Sequence, residues 1–151
     1  MKFSNGCWLN REGVQDFSPA QVYFTRYEDN LLRICAPTHK IHHRGDTLGG
    51  PNLTIRISAP APEVLRIRAD HYMGLAERKP SFELNIDESS KLEYEEENDI
   101  IKVYSGSLRL EICKSSWRMS FYRNNEKITE SIAKDLAYIR TDYKGLAYED
   151  G

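Results

Sequence analysis

The sequence predicts an all-β fold, an antiparallel β-sandwich, from three observations. Apolar and polar residues alternate with period two in many short runs. Turn signals recur at about the 8–12-residue spacing of sandwich folds. No segment keeps an i, i+3, i+4, i+7 apolar face for three helical turns.

Taken in order, residues 21–27 and 31–36 flank the polar turn Glu28-Asp29-Asn30 and read as a hairpin. Residues 52–59 set Leu53, Ile55 and Ile57 on one face and Thr54, Arg56 and Ser58 on the other. Pro60-Ala61-Pro62 is expected to break that ladder, because proline has no N–H to donate. Residues 64–72 resume with Leu65, Ile67 and Ala69 against Arg66, Arg68 and Asp70. Three more strands are expected at 92–95, 100–104 and 108–113. Trp117, Met119 and Phe121 continue the alternation, and Asn124-Asn125 suits a hairpin turn because asparagine tolerates positive φ. Residues 127–130 and 135–140 complete the series, while 38–51 form a long polar connection. The ending, 143–151, shows neither a capped helix nor a closing strand and reads as a chain that continues elsewhere.

A length of 151 residues, 40% of them hydrophobic, allows one domain, 1–151, with a modest core. The net charge of −2 offers no general attraction for nucleic acid or for an anionic membrane, and neither is expected as a partner. No run approaches the ~20 apolar residues that cross a bilayer. Residues 1–8 lack the apolar stretch of a signal peptide, and Asn52-Leu53-Thr54 therefore reads as a chance glycosylation match. Cys7, Cys35 and Cys113 are odd in number and lack metal-ligand spacing. They read as buried free thiols in a reducing cytoplasm.

His39, His42 and His43, with Asp46 beyond, are the residue types of a metal site. On a strand, however, His39 and His43 would share one face and His42 the other, so a solvated strand edge is the better reading. Asp87, Glu88, Glu93, Glu95, Glu96, Glu97 and Asp99 could offer oxygens to calcium, but lack the spacing and glycine of an EF-hand. A solvated turn and a charged sheet edge explain them better. Asp70, Glu77 and Asp142 cannot be paired into the two carboxylates of glycoside hydrolysis from spacing. Neither a nucleophile elbow nor a phosphate loop occurs. Among Tyr94, Tyr104, Trp117, Phe121 and Tyr122, the core pattern claims Trp117 and Phe121 rather than a sugar platform.

The whole chain carries a resemblance. Met1-Lys2-Phe3-Ser4-Asn5-Gly6-Cys7-Trp8-Leu9 resembles the opening of bacterial α-xylosidases of glycoside hydrolase family 31. Leu53-Thr54-Ile55-Arg56-Ile57-Ser58 and the later Val64-Leu65-Arg66-Ile67-Arg68-Ala69-Asp70-His71-Tyr72-Met73-Gly74 resemble its paired strands. Ser105-Gly106-Ser107-Leu108-Arg109-Leu110-Glu111-Ile112-Cys113-Lys114, then residues 117–129, are similar to further sandwich strands.

The resemblance implies a galactose-mutarotase-like supersandwich placed before a (β/α)₈ barrel of the same polypeptide. It implies a retaining parent enzyme, a homo-oligomer acting on an α-xyloside or α-glucoside, whose two catalytic aspartates lie on the barrel. No catalytic, substrate-binding or metal residue and no cofactor carries over to any position here, and Asp142 lacks the nucleophile's context. The chain is shorter than the family's sandwich, so closing strands are expected to be missing. The alternative is a free-standing carbohydrate-binding module, which would need exposed coplanar rings.

Overall fold

The computed structural model describes residues 9–71, 82–87, 89–143 and 146–150. Among these residues β1 (Val14–Phe17) comes first, followed by β2 (Phe24–Glu28), β3 (Leu31–Pro37), β4 (Asn52–Ala61) and β5 (Val64–Asp70). Next come β6 (Glu93–Glu97), β7 (Ile100–Ser105), β8 (Leu108–Cys113), β9 (Arg118–Arg123) and β10 (Glu126–Ser131). The last two are β11 (Tyr138–Tyr143) and β12 (Leu146–Asp150). All pair antiparallel, in sheets ordered β2-β3-β4-β5, β10-β9-β8-β7-β6 and β1-β11-β12.

The two larger sheets bury one face each. Leu32, Ile34 and Ala36 of β3 and Leu53, Ile55, Ile57 and Ala59 of β4 form one cluster with Ile101, Val103, Leu110 and Ile112 of β7 and β8. Each fully buried aliphatic side chain contributes about 1.5–3 kcal/mol relative to exposure. Trp117, just before β9, is fully buried in the same layer. Its φ of 41° lies in the left-handed region, a conformation that packing must hold.

Local turn chemistry sets the registers. Asp29 and Asn30 have φ of 49° and 61°, and Asn124 and Asn125 have 49° and 67°. Both pairs make two-residue hairpin loops whose positive φ matches the twist of the flanking strands. At the β7–β8 turn Gly106 has a φ of 61°, which favours glycine, and a Cβ there would displace the Glu63 carboxylate, whose Oε1 would lie 1.9 Å away. Glu63 in return accepts hydrogen bonds from the backbone N–H and hydroxyl of Ser107, linking the β4–β5 turn to the other sheet.

The sheet edges β2 and β6 close on each other. Tyr27 stacks on Tyr94 at 5.5 Å between centroids, and Asn30 clamps residues 90–92. In that clamp Asn30 Nδ2 donates to Ser90 O at 2.7 Å while Leu92 N donates to Asn30 Oδ1 at 2.6 Å. Asn30 thus serves the hairpin and the inter-sheet contact together.

Several expectations change. β4 does not stop at Pro60; a register shift between Ser58 and Ala61 accommodates the proline and the strand runs to Ala61. The ending is not without a strand, since β12 pairs with β11, joining Tyr143 to Leu146 and Ile139 to Asp150. β11 starts later than expected because Ala133–Asp135 forms a 3₁₀ turn, with Asp135 Oδ2 accepting from Ile132 N at 2.8 Å. β1 escapes the sequence pattern because its four residues bury Val14 alone. The first eight residues, including Cys7, and Tyr72, Met73 and Gly74 lie outside the described residues.

The indole N–H of Trp117 is buried and finds no acceptor among the described residues. Trp117→Ala is therefore expected to lose about 3–5 kcal/mol of stability in urea titration. Trp117→Phe should lose clearly less, since no hydrogen bond goes with the nitrogen. Equal losses would mean that the indole N–H is bonded in solution.

Candidate functional site

The three histidines do not lie on a strand edge as the alternation argument held. They sit on a closed loop whose ends meet where Thr38 N and Oγ1 donate to Pro51 O, at 3.2 and 2.9 Å. Arg44–Leu48 forms a 3₁₀ turn within it, with His43 as its N-cap. Asp46 Oδ2 accepts from the backbone N–H of His42 and His43 at 2.8 and 3.1 Å. His43 Nδ1 accepts from Gly45 N at 3.1 Å, and His39 Nε2 bonds to the carbonyl of Asp46. The His39 and His43 rings and the backbone of His42 thus build the loop instead of converging on a point. Among the described residues no group of three or more such side chains could hold a metal ion.

The acidic stretch divides. Glu93, Glu95 and Glu97 lie exposed along β6, the edge of its sheet, as a charged edge requires. Asp87 and Asp99 instead lock turns: Asp87 Oδ1 accepts from Ser89 N at 2.9 Å and Oγ at 2.6 Å. Asp99 Oδ1 accepts from Ser115 N at 3.0 Å, and Oδ2 accepts from Ser115 Oγ at 2.5 Å and Cys113 Sγ at 3.2 Å. The Ser115 hydroxyl, followed by the Cys113 thiol, holds the Asp99 carboxyl below the usual carboxylate range.

Of the three carboxylate candidates, Glu77 and the side chain of Asp142 lie outside the described residues. Asp70 pairs with arginine: Arg56 Nη2 reaches Oδ2 at 2.7 Å and Arg68 Nε reaches Oδ1 at 3.6 Å. The two described cysteines, Cys35 and Cys113, are free but half-buried, not buried as expected, because Cys35 alternates with the buried Ile34 and Ala36 and Cys113 follows the buried Ile112, which turns both away from the core. Cys35 is matched with Asn52 Oδ1 at 3.1 Å, so the asparagine of the glycosylation-like triplet serves the sheet.

Of the aromatics, Trp117 and Met119 are buried and Phe121 packs against the core, as their alternation predicts. Tyr104 donates to Glu95 Oε2 at 3.1 Å, and Tyr122 lies 4.5 Å beneath the Arg109 guanidinium. Two rings that the sequence reading passed over, Tyr23 and Phe24, are 55% and 58% exposed. They line a cleft of about 290 Å³ at the seam between β2 and β6, with Glu96, Asp99 and Lys114.

A second feature needs the strand registers to be visible. Arg26 faces Arg33, Arg33 faces Arg56, and Arg56 faces Arg68, one arginine from each strand of the four-stranded sheet. Neighbouring strands lie about 4.8 Å apart, so the row concentrates like charge on the outer face. Glu28 and Asp70 supply counter-charge near its two ends.

These elements define an antiparallel β-sandwich whose ionisable groups, among the described residues, tie turns and sheet edges together. Residues 54–151 match the glycosyl hydrolase 31 N-terminal galactose mutarotase-like domain, and the chain belongs to that family. An α-xylosidase XylQ from Lactiplantibacillus pentosus is 30% identical over 141 residues, covering 92% of this chain and 18% of that protein. An α-xylosidase from Emericella nidulans is 28% identical over 112 residues, covering 74% of this chain and 14% of that protein. The chain thus spans less than a fifth of the length of either relative. Among the described residues, no helix is long and apolar enough to cross a membrane.

Two outcomes follow for this surface. Arg33 is exposed and makes no ion pair among the described residues, so Arg33→Glu should raise stability by roughly 0.2–1 kcal/mol in urea titration. A lower midpoint would show that the arginine row is already neutralised. For Asp99, a depressed folded pKa means stabilisation that is present above the unfolded value of about 3.9 and lost as pH falls through the folded one. The stability gap between the wild type and Asp99→Asn should therefore be widest above about pH 4 and close below it. A gap independent of pH would contradict this.

Proposed function

We propose that residues 1–151 are the non-catalytic N-terminal domain of a retaining α-glycosidase, an α-xylosidase or α-glucosidase acting on α-xylosides or α-glucosides. In this reading the domain packs on a (β/α)₈ catalytic barrel of the same polypeptide and supports contacts between subunits of a homo-oligomer. The observation that carries it is the match over residues 54–151 to a domain described as N-terminal. The small share of each α-xylosidase that the chain covers supports a larger catalytic part elsewhere in the polypeptide. The engagement of Asp70 by two arginines also supports a structural use of that carboxylate. We place the protein in the cytoplasm, where free thiols such as Cys35 and Cys113 persist.

Surfaces suited to packing are present. β10 is exposed along most of its length, with Ile128 57% and the following Ile132 54% exposed. Single exposed apolar residues are ordinary, but two beside an open sheet edge favour burial against another body.

The test is enzymatic. The 151-residue chain should leave p-nitrophenyl α-xyloside unhydrolysed, while a polypeptide extended by the barrel should hydrolyse it with retention of anomeric configuration. Turnover by the short chain would defeat the non-catalytic assignment, and inversion by the long one would defeat the retaining assignment.

A further inference from the structure

We propose that the β2–β6 seam is the contact between two copies of this chain, related by a twofold axis that sets β2 of each copy beside β6 of the other. This contact gives a surface to the homo-oligomer of the preceding reading and rests on that reading.

The two flanks of the seam carry opposite charge. On the face of the four-stranded sheet that points away from the core, Arg26, Arg33, Arg56, Arg66 and Arg68 stand against Glu28 and Asp70. Five guanidinium groups against two carboxylates leave that face three positive charges, in a chain whose net charge is −2. On β6 the alternation turns Glu93, Glu95 and Glu97 outward, with Lys102 of β7 opposite Glu95. Part of each flank is already matched, since Glu28 holds Arg26 and Lys102 lies 3.4 Å from Glu97. Arg33 and Glu93 are exposed and make no ion pair among the described residues. Like charges directly opposite each other cost stability within one chain, and carboxylates from a second copy relieve that cost.

The twofold arrangement follows from where the flanks lie. β2 and β6 are the terminal strands of their sheets, held side by side by the Tyr27–Tyr94 stack and the bond from Thr25 to Glu96. An axis directed out of the seam exchanges its flanks, so a basic flank meets an acidic one twice in the same dimer. The other pairings are unfavourable. β6 against β6 opposes glutamate to glutamate, and one arginine face against another opposes cation to cation. Charge along these edges therefore rejects like edges and admits unlike ones.

Aromatic side chains supply the centre of the contact. Tyr23, Phe24 and Tyr27 are all exposed and lie on or beside β2. Interfaces between proteins are enriched in aromatic residues and arginine and depleted in lysine. Strands β2 to β5 carry five arginines and no lysine. β10 is the opposite edge of the five-stranded sheet, so a dimer across the seam leaves it free to pack on the catalytic part.

The experiment is sedimentation velocity of the 151-residue chain across protein concentration and salt. A monomer–dimer equilibrium is expected, weakened roughly tenfold between about 0.05 and about 0.5 M salt because exposed charges are screened. Arg26→Glu combined with Arg33→Glu should abolish the dimer, and so should Glu93→Lys combined with Glu95→Lys. An equimolar mixture of these two double variants should restore it, since each flank again meets the opposite charge. Phe24→Ala should weaken the dimer about tenfold, the scale of an interface anchor. All five side chains are exposed, so an unshifted Trp117 indole signal in NMR reports that the variants remain folded. A chain that stays monomeric up to about 1 mM would overturn the proposal. So would growth beyond the dimer, association indifferent to both charge reversals, a mixture that stays monomeric, or a dimer lost on Ile128→Lys at β10. A monomeric short chain beside an extended polypeptide that hydrolyses p-nitrophenyl α-xyloside would remove this contact and leave the domain assignment standing. Turnover by a dimeric short chain would do the reverse.

Discussion

The layer of aliphatic side chains between the two larger sheets holds the other features in position. Leu32, Ile34, Ile55 and Ile57 on one side and Ile101, Leu110 and Ile112 on the other are each fully shielded from water. A strand can bury this face in one register only, because a one-residue slip turns every side chain outward. The constraint carries a consequence on the opposite face. Once Ile34, Ile55 and Ile67 or their neighbours point inward, Arg33, Arg56 and Arg68 must point outward together. The row of like charge is a consequence of satisfying the core.

The rims of the sandwich are closed by polar contacts of long sequence separation. Asn30 joins the first hairpin to the segment before β6, Glu63 joins the β4–β5 turn to Ser107, and Asp99 ties the β6–β7 turn to Ser115. Two of these anchors are carboxylates whose hydrogen bonds hold them ionised. Each therefore stabilises the fold above the ordinary carboxylate range and ceases to do so as pH falls through its lowered pKa. Acid should loosen these rims while leaving the aliphatic layer without a titrating group.

This division of labour bears on function. Catalysis of glycoside hydrolysis needs carboxylates free to gain and lose a proton near the bond being cleaved. Here Asp46, Glu63, Asp87 and Asp99 are engaged by backbone N–H or hydroxyl groups that favour one charge state. Such groups suit architecture and fixed recognition. Membership of the glycosyl hydrolase 31 N-terminal domain family fits a sandwich organised in this way.

Much of the fold was legible in local pattern. The alternation in β4 and from Trp117 to Phe121 placed core residues, and Asp29-Asn30 and Asn124-Asn125 placed turns, because side-chain direction and positive φ are local properties of a strand or loop. The pattern missed β12 and also β1, which buries Val14 alone, and misread the histidine loop, whose 3₁₀ turn depends on Asp46 reaching back to the backbone of His42 and His43. The resemblance of ordered segments pointed to the family, and that reading holds. The arginine row and the Tyr23–Phe24 cleft could not be read in one dimension. Arg26 and Arg68 meet in one row only through three strand pairings, and Thr25 and Glu96 meet only where two sheet edges close. Alternation says which residues share a face, but register and sheet packing say which faces share a site. Those depend on burying the whole apolar layer at once, a condition that no single stretch of sequence contains.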